Sequence, residues 1–122
     1  MGIDYKSPTA LMLGRFQPFH DGHLELFKQM LNREGQVCIM VRDTQGTSEK
    51  DPFDFNFVKT EIDKKLVDFA GKYEVILVPN ITGVYYGRDV GYNVERIELD
   101  PSIEAISATE IRKQMEIDVD IS

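Results

Sequence analysis

The chain has 122 residues, of which 42% are hydrophobic, which is the size of a single domain with a core of its own. Its formal net charge of −7 disfavours binding to nucleic acid, whose phosphate backbone it would repel. No apolar run approaches the length that spans a bilayer, and no basic stretch followed by an apolar stretch opens the chain, so we expect a cytoplasmic protein without a membrane segment or secretory signal.

Three apolar runs predict the strands of a sheet, at Thr9–Leu13, Val37–Val41 and Tyr73–Val78. The first two runs show no polar alternation, which is typical of strands buried on both faces of a parallel sheet. Cys38, the single cysteine, lies inside the second run. We therefore expect a buried structural thiol that forms no internal disulfide.

Two amphipathic patterns predict helices between these strands. The first runs from Gly22 to Arg33, and Gly35 is placed to end it. The second is predicted to begin at Asp51 as N-cap, with Pro52 at the first helical position, and to end at Gly71. This alternation of strands and helices implies a parallel sheet with right-handed crossovers.

The last third of the chain carries shorter patterns. They predict short strands at Val84–Gly87 and Val94–Leu99 and a last helix that begins at Ser107. Residues 1–8 and 116–122 are expected to be loose ends. The whole chain is therefore predicted to be a single-domain α/β protein with a Rossmann-like parallel sheet.

The stretch from Gly14 to His23 links the first strand to the first helix and reads Gly-Arg-Phe-Gln-Pro-Phe-His-Asp-Gly-His. His20 and His23 are three residues apart, so they face the same way at the start of a helix. A helix N-terminus offers unpaired N–H groups and the positive end of its dipole to an anion. The pattern predicts a phosphate site with two imidazoles directed into it, and the alternative is a pair of surface histidines.

This stretch resembles the His-x-Gly-His signature of the nucleotidylyltransferase superfamily, the cytidylyltransferase-like domain. Its longer form most resembles that of archaeal-type nicotinamide-mononucleotide adenylyltransferases. A second signature of the family, Ile-Ser-x-Thr-x-Ile-Arg, is similar to Ile106-Ser107-Ala108-Thr109-Glu110-Ile111-Arg112. The resemblance implies a compact nucleotidylyltransferase fold and the transfer of a nucleoside monophosphate from a triphosphate to a phosphorylated small molecule, with release of pyrophosphate.

The resemblance also implies roles for individual residues. His20 and His23 would donate hydrogen bonds to the transferred phosphoryl group. Arg112 would bind the β- and γ-phosphates, and it completes the set of predicted catalytic residues. The residues predicted to bind the nucleotide and its phosphates are Gly14, Arg15, Phe16, Ser107 and Thr109.

Contacts to the acceptor or the nucleotide are expected from charged side chains beyond the two motifs. The candidates are Arg88, Asp89 and Asp43, followed by Arg42 and Lys59, and the other interpretation of each is a solvated surface charge. No protein-bound metal is expected, because zinc prefers histidine and cysteine ligands and the single cysteine lies in a different strand. Magnesium is expected to arrive on the triphosphate.

The long form of the histidine motif favours ATP as donor and AMP as the transferred group, whereas the short chain leaves CTP open. A non-catalytic nucleotide-binding module is the alternative from another functional class. The compressed segment between Asn80 and Tyr92 favours that module, while the intact histidine pair with Ser107, Thr109 and Arg112 favours an enzyme. Analogy with small enzymes of this type suggests a homo-oligomer.

Overall fold

The computed structural model describes residues 2–43, 47, 51–87, 91–94 and 97. Strands and helices alternate in this part of the chain, in the order β1 (Ala10–Gly14), α1 (Asp21–Glu34), β2 (Val37–Arg42), α2 (Phe55–Lys65) and β3 (Tyr73–Val78), with a short 3-10 helix at Val67–Phe69. The strands form one parallel sheet in the order β1-β2-β3. The predicted α/β architecture with a parallel sheet is confirmed.

The register of the sheet brings the carboxyl ends of the three strands to one edge. Gly14 of β1 pairs with Val41 of β2, and Val41 pairs with Leu77 of β3. In an open parallel α/β sheet, ligands bind outside this edge. The turn that follows β1 and the polar residues that follow β2 therefore lie where a ligand site is expected.

The core lies between one face of the sheet and the two helices. Met12 and Ile39 pack in one cluster with Phe27 of α1 and Ile62 of α2, and each of these side chains is at most 3% exposed. Both helices belong to this cluster because right-handed crossovers that proceed in one direction along a sheet place their helices on the same side.

The second face of the sheet is open among the residues that the structure describes. Leu11 is 54% exposed, and Leu13, Cys38 and Met40 are only half-buried. The prediction that β1 is buried on both faces is wrong here, because neither helix reaches that face. The predicted buried position of Cys38 is wrong as well, although partial burial still raises the pKa of its thiol.

The first helix closely follows its predicted bounds. It runs from Asp21 to Glu34, and its C-cap Gly35 has a φ of 90° and donates its N–H to the carbonyl of Leu31 at 2.8 Å. This left-handed conformation suits glycine, which has no Cβ to clash with the backbone. The predicted stop at Gly35 is confirmed.

The second helix begins later than predicted. Its N-cap is Asp54, whose side chain accepts the N–H of Phe57 at 2.9 Å, and Phe55 is its first residue. The prediction of Asp51 as N-cap is wrong, because the carboxylate of Asp51 faces Arg15 instead. The helix ends at Lys65 and not at the predicted Gly71, and the 3-10 helix follows it.

The start of the chain is held more firmly than predicted. The buried side chain of Gln36 accepts the N–H of Asp4 at 3.0 Å and donates to the carbonyl of Asp4 at 2.6 Å. The same amide donates to the hydroxyl of Thr9 at 2.6 Å. The prediction of a loose end at residues 1–8 is therefore wrong at Asp4.

Residues 84–87 form no strand, so the predicted strand at Val84–Gly87 is wrong. The predicted strand at Val94–Leu99 falls largely outside the described residues, and the helix predicted from Ser107 falls wholly outside them, as do residues 116–122. Neither of the two described α-helices is long and apolar enough to cross a membrane.

Candidate active site

The two histidines cap the start of α1, each by accepting a backbone N–H on its Nδ1. The N–H of Gly22 donates to Nδ1 of His20 at 3.0 Å, and the N–H of His20 donates to Nδ1 of His23 at 3.0 Å. This is the reciprocal arrangement of a capping box, with imidazoles in the places of the hydroxyl and carboxylate side chains. The rings stack with centroids 3.8 Å apart.

These backbone contacts select one tautomer for each ring. A nitrogen that accepts a hydrogen bond carries no proton, so each neutral imidazole carries its proton on Nε2. No hydrogen bond from either Nε2 is found within the described part of the chain. His20 and His23 therefore offer two parallel N–H donors at a helix N-terminus, which is an arrangement that recognises a phosphate.

Both imidazoles are neutral at neutral pH. Burial, with a smaller contribution from the nearby His20, lowers the pKa of His23 to about 3. Burial also lowers the pKa of His20. The charge of Asp21 raises this pKa, and that of Lys65 lowers it. The apolar surroundings of His23 are the rings of Phe16 and Phe19, at centroid distances of 4.9 Å and 5.3 Å.

The side chain of Phe16 is buried against His23 and does not face a ligand. Its side chain is only 3% exposed, and its φ of 53° lies in the left-handed region. A Cβ added to Gly14 would lie 2.9 Å from the Phe16 ring, so only glycine fits at that position without a shift. Phe16, predicted to supply a backbone donor or shape at the phosphate site, thus packs its side chain against His23 and leaves its backbone available to a ligand.

Arg15 is the exposed cation of this turn. Its Nη1 lies 3.3 Å from Oδ1 of Asp51, and its side chain is 49% exposed. The side chain of Asp51 is only 17% exposed, so the guanidinium is the accessible member of this ion pair. The structure therefore leaves Arg15 able to bind a ligand beside the histidines.

Gln17 joins the turn after β1 to the segment before α2. Its Nε2 donates to the carbonyl of Phe53 and its Oε1 accepts the N–H of Phe53, both at 2.9 Å. The side chain is 5% exposed, so these contacts are sheltered from water. Sequence reasoning assigned no role to Gln17, although a polar residue among the aromatic residues of the motif is a signal of such a contact.

A cavity of about 200 Å³ opens beside this contact, at the carboxyl ends of β2 and β3. Asp43, predicted to contact the acceptor, lines it together with Gln17, Val41, Arg42, Phe53, Asp54, Phe55, Val58 and Leu77. The guanidinium of Arg42 donates from Nη2 to Oδ1 of Asn80 at 2.6 Å. Asp43 and Arg42 are thus brought to the same edge of the sheet as the histidine turn.

Other predicted residues are not brought to this place. Lys59 pairs with Asp63 at 3.0 Å along α2 and lines a separate cavity with Tyr73, at the opposite end of β3 from Leu77. Arg88, Asp89, Ser107, Thr109 and Arg112 lie outside the described residues. Within the described ranges, no three histidine, cysteine, aspartate or glutamate side chains come together as metal ligands would.

Comparison with known proteins identifies relatives of this chain. Residues 11–56 match the model of a family described as cytidylyltransferase-like. The chain is 38% identical to a nicotinamide-nucleotide adenylyltransferase of Picrophilus torridus over 71 residues, which cover 57% of this chain and 41% of that protein. It is 30% identical to the nicotinamide-nucleotide adenylyltransferase of Methanococcus aeolicus over 132 aligned positions, with 87% of this chain and 76% of that protein covered.

A solved structure supports the same relationship. The crystal structure of a bifunctional NMN adenylyltransferase/ADP ribose pyrophosphatase from Francisella tularensis superposes with a TM-score of 0.50 and 31% sequence identity. The match covers 60% of this chain and 22% of that one. The similarity therefore extends over less than a quarter of that protein.

Proposed function

The chain belongs to the cytidylyltransferase-like family that includes the nicotinamide-nucleotide adenylyltransferases, and we propose that it transfers the adenylyl group of ATP to the phosphate of nicotinamide mononucleotide. In this reaction an oxygen of the acceptor phosphate forms a bond to the α-phosphorus of ATP. The bond between that phosphorus and the oxygen shared with the β-phosphate breaks, and pyrophosphate leaves. The products are the dinucleotide and pyrophosphate.

The observation that carries this proposal is the orientation of the two histidines. Their Nδ1 atoms are occupied by backbone N–H groups, so their Nε2–H groups remain as donors for the transferred phosphoryl group. Such donors are already in place before the reaction, and they stabilise the negative charge that develops on the phosphoryl oxygens. Removal of one donor of this type typically lowers the rate by about 100-fold or more.

The N-terminus of α1 and Arg15 are the further groups of the described chain that support binding of the triphosphate. The N-terminus of α1 and the exposed guanidinium of Arg15 provide positive potential on the same side of the turn. Magnesium belongs to the substrate in this proposal, because it typically binds triphosphate oxygens and keeps several waters. The roles of Ser107, Thr109 and Arg112 stay predictions from their motif.

The cavity beside Gln17 supports a place for part of the acceptor. It lies at the carboxyl ends of β2 and β3, next to the turn that carries the histidines, and Asp43 lines it. An acceptor held there would approach the triphosphate from the side of β2. Binding of both substrates at one sheet edge would provide the alignment that an in-line transfer requires.

The test is release of pyrophosphate by the purified chain with magnesium. We expect release with ATP and nicotinamide mononucleotide together and none with either alone. Substitution of CTP for ATP distinguishes a cytidylyltransferase, which would release pyrophosphate with CTP instead. Binding of a triphosphate without release for any acceptor would contradict the proposal and identify a non-catalytic nucleotide-binding module.

A further inference from the structure

Asp21 places a negative charge beside the proposed phosphate site. It is the first residue of α1, it stands between the two histidines in the sequence, and its side chain is 73% exposed. A carboxylate at a helix N-terminus stabilises the helix through its dipole. The same charge opposes the approach of a polyphosphate to that N-terminus.

Lys65 supplies a compensating charge from the other helix. Its Nζ lies 2.5 Å from Oδ1 of Asp21, and the two residues are 44 positions apart in the sequence. The ammonium also acts on the nearby imidazole of His20, whose pKa it lowers. The positive charge of Lys65 thus reaches both the acidic residue and one of the two histidines of the motif.

The core holds the backbone at the end of α2, where Lys65 lies, and from there the side chain reaches Asp21. Leu66, the next residue, is completely buried, and its N–H donates to the carbonyl of Ile62 at 2.9 Å. Lys65 is therefore anchored at the end of α2 although its ammonium is exposed. Because the backbone is already fixed, pairing with Asp21 orders only the side chain of Lys65.

We propose that Lys65 is a positioning residue of the phosphate site, which neutralises Asp21 and thereby allows a polyphosphate to approach His20 and His23. The inference rests on the proposed function of the same site. In this role Lys65 acts through the carboxylate and not through direct contact with the phosphate. Removal of both charges should therefore leave phosphate binding as it is in the native chain.

Calorimetric titration with inorganic pyrophosphate and magnesium at low ionic strength tests this role. We expect Lys65→Gln to weaken binding by about 3- to 10-fold and Asp21→Asn to strengthen it. The double variant should bind within about twofold of the native chain, and Lys65→Arg should retain native binding. A double variant as weak as Lys65→Gln, or a native chain that binds no pyrophosphate, would overturn the proposal.

Lys64→Gln is the matched control. Lys64 is the adjacent residue, but it pairs with Glu61 of its own helix at 3.4 Å. The same change of charge there should leave pyrophosphate binding unchanged, and an equal weakening would overturn the specific role of Lys65. Turnover provides a second readout, since Lys65→Gln should raise the KM for ATP and leave kcat within about twofold. A native chain without turnover would contradict the proposed function alone, because the calorimetric comparison does not require the reaction.

Discussion

The backbone N–H of His20 donates to Nδ1 of His23 at 3.0 Å, so the second histidine of the motif is oriented by the backbone of the first. Gly22 orients His20 in the same way. Each imidazole therefore has a structural role at Nδ1, where it caps α1, and a chemical role at Nε2, where it can donate to a phosphate. Substitutions that keep one role and remove the other can separate them.

His23→Gln should lower turnover strongly without loss of stability. Glutamine is a natural residue at this position of a capping box, so its carbonyl can accept the N–H of His20. It lacks the Nε2–H donor, and we expect turnover to fall by about 100-fold or more. Pyrophosphate release and thermal denaturation of the same sample measure the two effects.

His23→Ala is the companion variant, because it removes the cap as well. Turnover should fall as in His23→Gln, and the free energy of unfolding should also fall by about 1 kcal/mol, as it does when a helix cap is lost. Full activity in either variant would contradict the proposed role of the imidazole.

Gly14→Ala should destabilise the protein and lower its activity. The added Cβ would lie 2.9 Å from the ring of Phe16, which packs against His23. We expect a cost of about 1–3 kcal/mol in the free energy of unfolding, as for other overpacked sites, measured by urea denaturation. Gly87→Ala is the control, since no atom lies within 4 Å of its added Cβ. Equal effects of the two substitutions would mean that the Phe16 contact is not the cause.

Gln17→Ala should weaken the connection between the turn after β1 and the start of α2. The substitution leaves the N–H and the carbonyl of Phe53 without their buried partner. We expect a loss of roughly 1–3 kcal/mol in the free energy of unfolding. Gln29→Ala on the exposed side of α1 is the control and should change stability little. Unchanged urea denaturation of Gln17→Ala would show that this contact contributes nothing.

The free energy of unfolding should fall as the pH drops below about 6.5, the pKa of histidine in an unfolded chain. His23 has a pKa of about 3 in the folded protein, so between these values the unfolded chain binds a proton that the folded chain does not. Stability is then lost by at most about 1.4 kcal/mol per pH unit for this histidine. Urea denaturation at a series of pH values should show a shallower loss for His23→Gln than for the native chain. Identical slopes would contradict the lowered pKa of His23.

The local features of this protein follow from neighbouring residues and are readable in the sequence. Short, mainly apolar runs bounded by turn residues predict β1, β2 and β3, because runs of this length are typical of strands. Gly35 ends α1 because its left-handed conformation is a local property of glycine. The spacing of His20 and His23 predicts both imidazoles at one helix start, which is where the structure has them.

Tertiary contacts decided what the sequence left open. The start of α2 at Phe55 differs from the predicted N-cap at Asp51, because Asp51 faces Arg15 and Gln17 holds Phe53. Each of these contacts joins residues 36 positions apart in the sequence. The contact of Lys65 with Asp21 likewise joins residues that are distant in the sequence, 44 positions apart. Local patterns record which residues are apolar or turn-forming, but partners that are distant in the sequence become neighbours only when the core brings the two helices together on one face of the sheet.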